Sequence, residues 1–110
     1  MTFHAKRRDA NEATIVIALR AVGASVLHLD GKGVPDLLVG YEGKTHLLEV
    51  KNPNQAGQPG AKRGEKRIKG RGVLTAEQVR AFGAWKGSTI HQVINSDEAL
   101  VAIGALRSNT

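Results

Sequence analysis

A chain of 110 residues has the size of one domain with one core, in which about two-thirds of the unfolded surface is buried, so a single domain over residues 1–110 is expected. It contains no cysteine, which excludes thiolate chemistry, disulfide staples and a cysteine zinc site and agrees with a reducing cytoplasm, the expected location. The net charge is +6, no apolar run approaches the ~20 residues of a membrane-spanning helix, and Met1 to Arg8 lacks the apolar stretch of a signal peptide, so a soluble protein with an anionic partner is expected.

Taken along the chain, Asp9 to Val22 carries Ile15, Val16, Leu19 and Val22 at helical spacing, and Gly23 ends the helix. Ser25 to Leu29 reads as a first strand, and Asp30-Gly31-Lys32-Gly33 turns the chain into Val34. Leu37 to Tyr41 is a strand opened by Pro35, and Thr45 to Lys51 is its partner across the turn Glu42-Gly43-Lys44.

Residues 52–73 form the next unit. From Asn52 to Gly72 there are six positive residues, Lys62, Arg63, Lys66, Arg67, Lys69 and Arg71, against one negative, Glu65, so most of the net charge is concentrated here. Five glycines and two prolines in the same stretch point to a flexible basic loop that tracks a phosphate backbone; the alternative is a solvated charge run. Thr75 to Trp85 then reads as a helix, Ile90 to Ile94 as a strand, and Ser96 as the cap of a last helix running to Leu106. The order is αβββαβα, an α/β class with a mixed sheet flanked by helices.

The chemistry lies in the hairpin. Strand side chains alternate, so Glu49 and Lys51 share a face, and antiparallel closure brings the start of one strand beside the end of the other, which places Asp36 near Glu49. Two close carboxylates repel and call for a cation between them. A hard divalent ion held by carboxylates, a backbone carbonyl and waters would polarise a phosphodiester and acidify a bound water, and the Lys51 ammonium would position that water or offset charge on the phosphorane.

Gly33-Val34-Pro35-Asp36-Leu37-Leu38-Val39, then Leu48-Glu49-Val50-Lys51, then Leu74-Thr75-Ala76-Glu77-Gln78 resembles the VRR-NUC branch of the PD-(D/E)xK nucleases in its short stand-alone form, over residues 9 to 95. Val79-Arg80 is followed by Ala81, so the chain has no Val-Arg-Arg tripeptide. The resemblance implies a restriction-endonuclease-like core and an Mg2+- or Mn2+-dependent endonuclease related to Holliday junction resolvases. It implies Asp36, Glu49 and Lys51 as catalytic residues, with Asp36, Glu49 and the Val50 carbonyl as metal ligands. A two-fold homodimer cutting two opposed strands of a four-way junction is expected, since one site cuts one strand; the last helix, with Leu100, Val101, Ile103 and Leu106, is either its interface or part of the core. The alternative is a basic DNA-binding module that keeps the fold and does not cut.

Two further residues carry double readings. Glu12 precedes Ile15, Val16 and Leu19 on the apolar face of the first helix. It either reaches the metal or one of its waters, as the resemblance implies, or favours the helix dipole behind an Asp9 cap. Gln78 closes a capping box with Thr75, and the resemblance also places it near Lys51 as a catalytic residue. His28, His46 and His91 are expected to be structural, and Phe82 and Trp85, at helical spacing, to be core residues instead of base-stacking platforms.

Overall fold

The β2–β3 hairpin is the centre of the architecture, a computed structural model that describes residues 10–52, 66–68 and 72–107. Strand β2 (Leu37–Tyr41) and strand β3 (Lys44–Val50) pair antiparallel with Leu37 opposite Leu48 and Tyr41 opposite Lys44. Lys44 therefore belongs to the strand, and the turn shortens to Glu42-Gly43. Both residues have positive φ, 50° and 80°, the pattern of a two-residue primed turn whose twist matches that of the strands.

Strand β1 (Ser25–His28) pairs antiparallel with β2, and strand β6 (Ile90–Val93) pairs parallel with β3, giving a mixed sheet of order β1-β2-β3-β6. Helix α1 (Ala10–Ala21) and helix α3 (Ser96–Ala102) cover one face. There Ile15, Val16, Leu19, Ala99 and Ile103 meet Val26, Leu37, Val39, Leu48, Val50 and Val93 in one buried core. Helix α2 (Ala76–Ala84) lies over the other face, where Leu47 and Ile90 approach its Ala81 and Phe82. The sheet is thus flanked by helices in the order αβββαβα. None of the described helices is long and apolar enough to cross a membrane.

Four details differ from the sequence reading. A ribbon of two short strands, β4 (Lys66–Ile68) and β5 (Gly72–Leu74), pairs antiparallel inside the stretch read as a loop. Lys62, Arg63, Lys69 and Arg71, like Asp9, lie outside the described residues. Asn95, not Ser96, caps α3, its side chain accepting from the Glu98 N–H at 2.8 Å. That helix also stops well short of Leu106, because Gly104 takes φ +84° and the Ala105 N–H turns back to the Leu100 carbonyl at 2.8 Å, a left-handed C-terminal closure. Finally, α2 ends at Ala84, and Trp85 is 50% exposed instead of packed in the core.

Since Asn95 satisfies the free amide at the start of α3, Asn95→Ala should cost about 1 kcal/mol of stability. Ser96→Ala should change it by less than ~0.5 kcal/mol. Urea denaturation of the two variants checks the cap; equal losses would contradict it.

Candidate active site

Extending the hairpin register by one pair sets Asp36 opposite Glu49 at the end of the sheet where β3 runs out. Both are buried, at 6% and 2% exposure. Pro35 holds the chain extended into the strand, and the Leu29 N–H donates to the Asp36 carbonyl at 2.9 Å, so β1 fixes the backbone. The Asp36 carboxylate Oδ2 accepts from the Val50 N–H at 2.8 Å, which aims it across the hairpin end.

Two polar groups meet at one oxygen of Glu49. Its Oε2 accepts from Gln78 Nε2 at 2.6 Å and lies 3.0 Å from Lys51 Nζ. Lys51 Nζ also donates to Gln78 Oε1 at 2.8 Å, closing a triangle of carboxylate, amide and ammonium. The other oxygen, Oε1, is buried and has no hydrogen-bond partner among the described residues. Burial first, and then the charge of Asp36, raise the Glu49 pKa from 4.5 to about 7, against the lowering influence of Lys51 and Gln78.

Gln78 serves two functions. Thr75 Oγ1 accepts from the Gln78 N–H at 3.1 Å, and Gln78 Oε1 accepts from the Thr75 N–H at 3.1 Å, so the capping box is formed. The side chain that starts α2 is therefore the same one that holds Lys51 and Glu49. Gly33, at φ +73°, brings the loop before Asp36 against this helix. A Cβ there would stand 3.3 Å from the Glu77 carbonyl oxygen and 3.1 Å from the Ala81 methyl.

Glu12 is buried at 4% exposure on the apolar face of α1, and its Oε2 lies 3.3 Å from His28 Nδ1. Register explains this partner: His28 stands opposite Leu37 on the α1 side of the sheet, whereas Glu49 alternates with Leu48 to the α2 side. No three His, Asp or Glu side chains among the described residues form a group that could hold a metal ion.

Two residues escaped the sequence reading. Asn11 Nδ2 donates to the Lys51 carbonyl at 3.0 Å and to the Ile94 carbonyl at 3.4 Å, so the first turn of α1 ties down the ends of β3 and β6. The available signal was its position four residues before Ile15, which turns it toward the core. Gln92 stands opposite Glu49 in the β3–β6 register, legible as a polar residue within an apolar strand.

Comparison with protein-family models, with curated proteins and with solved structures found no significant match to this chain.

The raised Glu49 pKa has a consequence for stability. Between pH 4.5 and about 7 the folded chain binds more protons at this carboxyl than the unfolded chain, so without a cation stability falls as pH rises through that window. Thermal midpoints measured in chelator should drop from pH ~5 to ~8, and Glu49→Gln should flatten the drop. An identical pH profile for the variant would show that Glu49 does not carry the effect.

Proposed function

We propose that this chain is an Mg2+- or Mn2+-dependent endodeoxyribonuclease with a restriction-endonuclease-like core, acting on branched DNA. The observation that carries the reading is the buried Asp36–Glu49 pair, with Lys51 and Gln78 gathered on one Glu49 oxygen and the other left without a partner. A protein that only binds DNA gains nothing from two buried carboxylates turned toward a polyanion. The resemblance of the Pro-Asp and Glu-Val-Lys segments to the PD-(D/E)xK nucleases leads to the same class.

The donor set suits a hard divalent ion, because a carboxylate pair with a desolvated, unpartnered oxygen lowers its own repulsion by sharing a cation. Asp36, Glu49 and the Val50 carbonyl would hold it; Glu12, paired with His28 on the α1 side of the sheet, would take no part. An ion in that position would polarise the scissile phosphate and lower the pKa of a bound water so that it could attack as hydroxide. Lys51 offsets the charge that develops on the phosphate oxygens. Gln78 keeps the ammonium and the Glu49 carboxylate in fixed relation, and the Val50 N–H does the same for Asp36. In the net reaction, water oxygen bonds to phosphorus, the P–O bond to the leaving nucleoside breaks, and the leaving oxygen takes up a proton. Lys62, Arg63, Lys66, Arg67, Lys69 and Arg71 supply positive charge for the flanking phosphates.

Asp36→Asn, Glu49→Gln and Lys51→Ala should each lower cleavage of labelled junction, flap and duplex DNA by about 10²-fold or more while leaving DNA binding largely intact. Wild-type cleavage should stop in chelator. Robust cutting by any of the three variants would remove the site assignment, and binding without cutting by the wild type under every divalent ion would favour the non-catalytic module.

Because one chain carries one such site, the proposal includes a two-fold homodimer for paired incisions. In α3, Ile103 is buried in the core, and Val101 and the following Leu106 remain exposed at 37% and 43%, so an interface there would rest on these two. Sedimentation with and without junction DNA should show a dimer at micromolar concentration; monomer alone in both would leave a single-strand nicking enzyme.

A further inference from the structure

Beyond the end of α2, the face of the sheet that carries Glu49 continues into an apolar hollow of about 230 Å³. It is lined by Leu47, Ile90, Pro35, Phe82 and Trp85, among others. Two observations connect it to the candidate site. Leu47 lies two residues before Glu49 on the same face of β3, and Pro35 immediately precedes Asp36. Its volume falls below the ~300–1,000 Å³ of a site for a drug-sized molecule and suits a single flat group.

Trp85 is built as a platform. Its indole Nε1–H donates to the Ser88 carbonyl at 2.6 Å, which fixes the ring plane. The ring lies against Gly87 so closely that a Cβ there would stand 2.5 Å from the nearest ring atom. One side of the indole is thus backed by glycine backbone, and half of the residue's surface remains open. The neighbouring Arg80 and Lys86 are exposed and cationic, which complements a phosphate chain. Trp85 is the C-cap of α2, one residue past the helix whose first turn carries Gln78, so the platform and the candidate site sit at opposite ends of one short helix.

We propose that Trp85 and the hollow beside it form a stacking platform for one unpaired nucleobase of the substrate strand. The inference rests on the nuclease reading above and adds a specificity device to it: duplex DNA keeps its bases stacked on each other, so only a branched, frayed or single strand offers a base to the indole.

Trp85 is the only tryptophan in the chain, so its emission reports the contact directly. Fluorescently labelled oligothymidylate titrated into the wild-type protein in chelator should bind and quench the tryptophan emission, and blunt duplex should bind without quenching. Trp85→Ala should weaken oligothymidylate binding about ten-fold, with Trp85→Phe intermediate and blunt-duplex affinity unchanged. Gly87→Ala, whose methyl would displace the ring, should reproduce the Trp85→Ala defect. Oligothymidylate binding with unchanged emission, or with equal affinity in Trp85→Ala, would overturn the platform while leaving the nuclease reading intact. Emission that shifts with protein concentration in the absence of DNA would assign the hollow to a second copy of the chain instead. Failure of the wild type to bind any DNA, together with no cleavage in Mg2+, would overturn both readings at once.

Discussion

Glu49 is a carboxylate almost wholly removed from water and set opposite a second buried carboxylate, Asp36, and the organisation of one end of the molecule follows from how that arrangement is tolerated. Desolvation favours the neutral acid, and the neighbouring charge adds to it. Among the described residues the compensation comes from one side only: Lys51 and Gln78 both serve Oε2, and Oε1 has no hydrogen-bond partner. A carboxyl that titrates near neutrality at this place is easily exchanged from proton to cation, since the ion that displaces the proton also removes the repulsion. Under the reading proposed above, the same feature that makes the ion-free fold sensitive to pH would make the pair receptive to a metal.

The supports of this pair come from both faces of the sheet. On the α2 side, Gln78 ties the carboxylate and the lysine to a helix start, and Gly33 packs the loop before Asp36 onto the same helix. On the α1 side, Asn11 holds the backbone of Lys51 while Leu48 and Val50, the neighbours of Glu49, anchor β3 in the core. The strand cannot shift by one residue without exchanging Leu48 and Glu49 between the core and the opposite face, so hydrophobic burial enforces the register that sets Glu49 opposite Asp36.

Much of this was legible in the residues, and what was not has physical reasons. Alternation along Thr45 to Lys51 and the Pro35 break sufficed to pair Asp36 with Glu49, because a hairpin is a local structure. The burial of Glu12 could be read from its spacing to Ile15, Val16 and Leu19; its partner could not, since His28 reaches it from a separate strand. Thr75 and Gln78 declared the capping box, but the box alone gives no sign of the contacts to Lys51 and Glu49 across 27 and 29 positions. Asn95 and Ser96 are both good caps in adjacent positions, and composition does not choose between them. The β4–β5 ribbon is hidden by glycine and charge, which mask the three-residue runs that pair. Trp85 has core spacing relative to Phe82, yet the helix ends one residue before it, and a side chain beyond the last turn no longer follows the helical face.

The hydrogen bond from Lys51 to Gln78 joins the two ends of the insertion that carries most of the positive charge of the chain. Its two anchors are each held independently, Lys51 by strand pairing and Asn11, Gln78 by the capping box and α2. The Lys51–Gln78 contact is therefore set by elements on either side of the intervening chain. Because the entropy of closing a loop grows only slowly with its length, that segment could be lengthened, shortened or recomposed at small energetic cost. The fold in effect separates two fixed ends, Lys51 and Gln78, from the cationic stretch of sequence between them, and a change in the length or charge of that stretch would leave their contact in place.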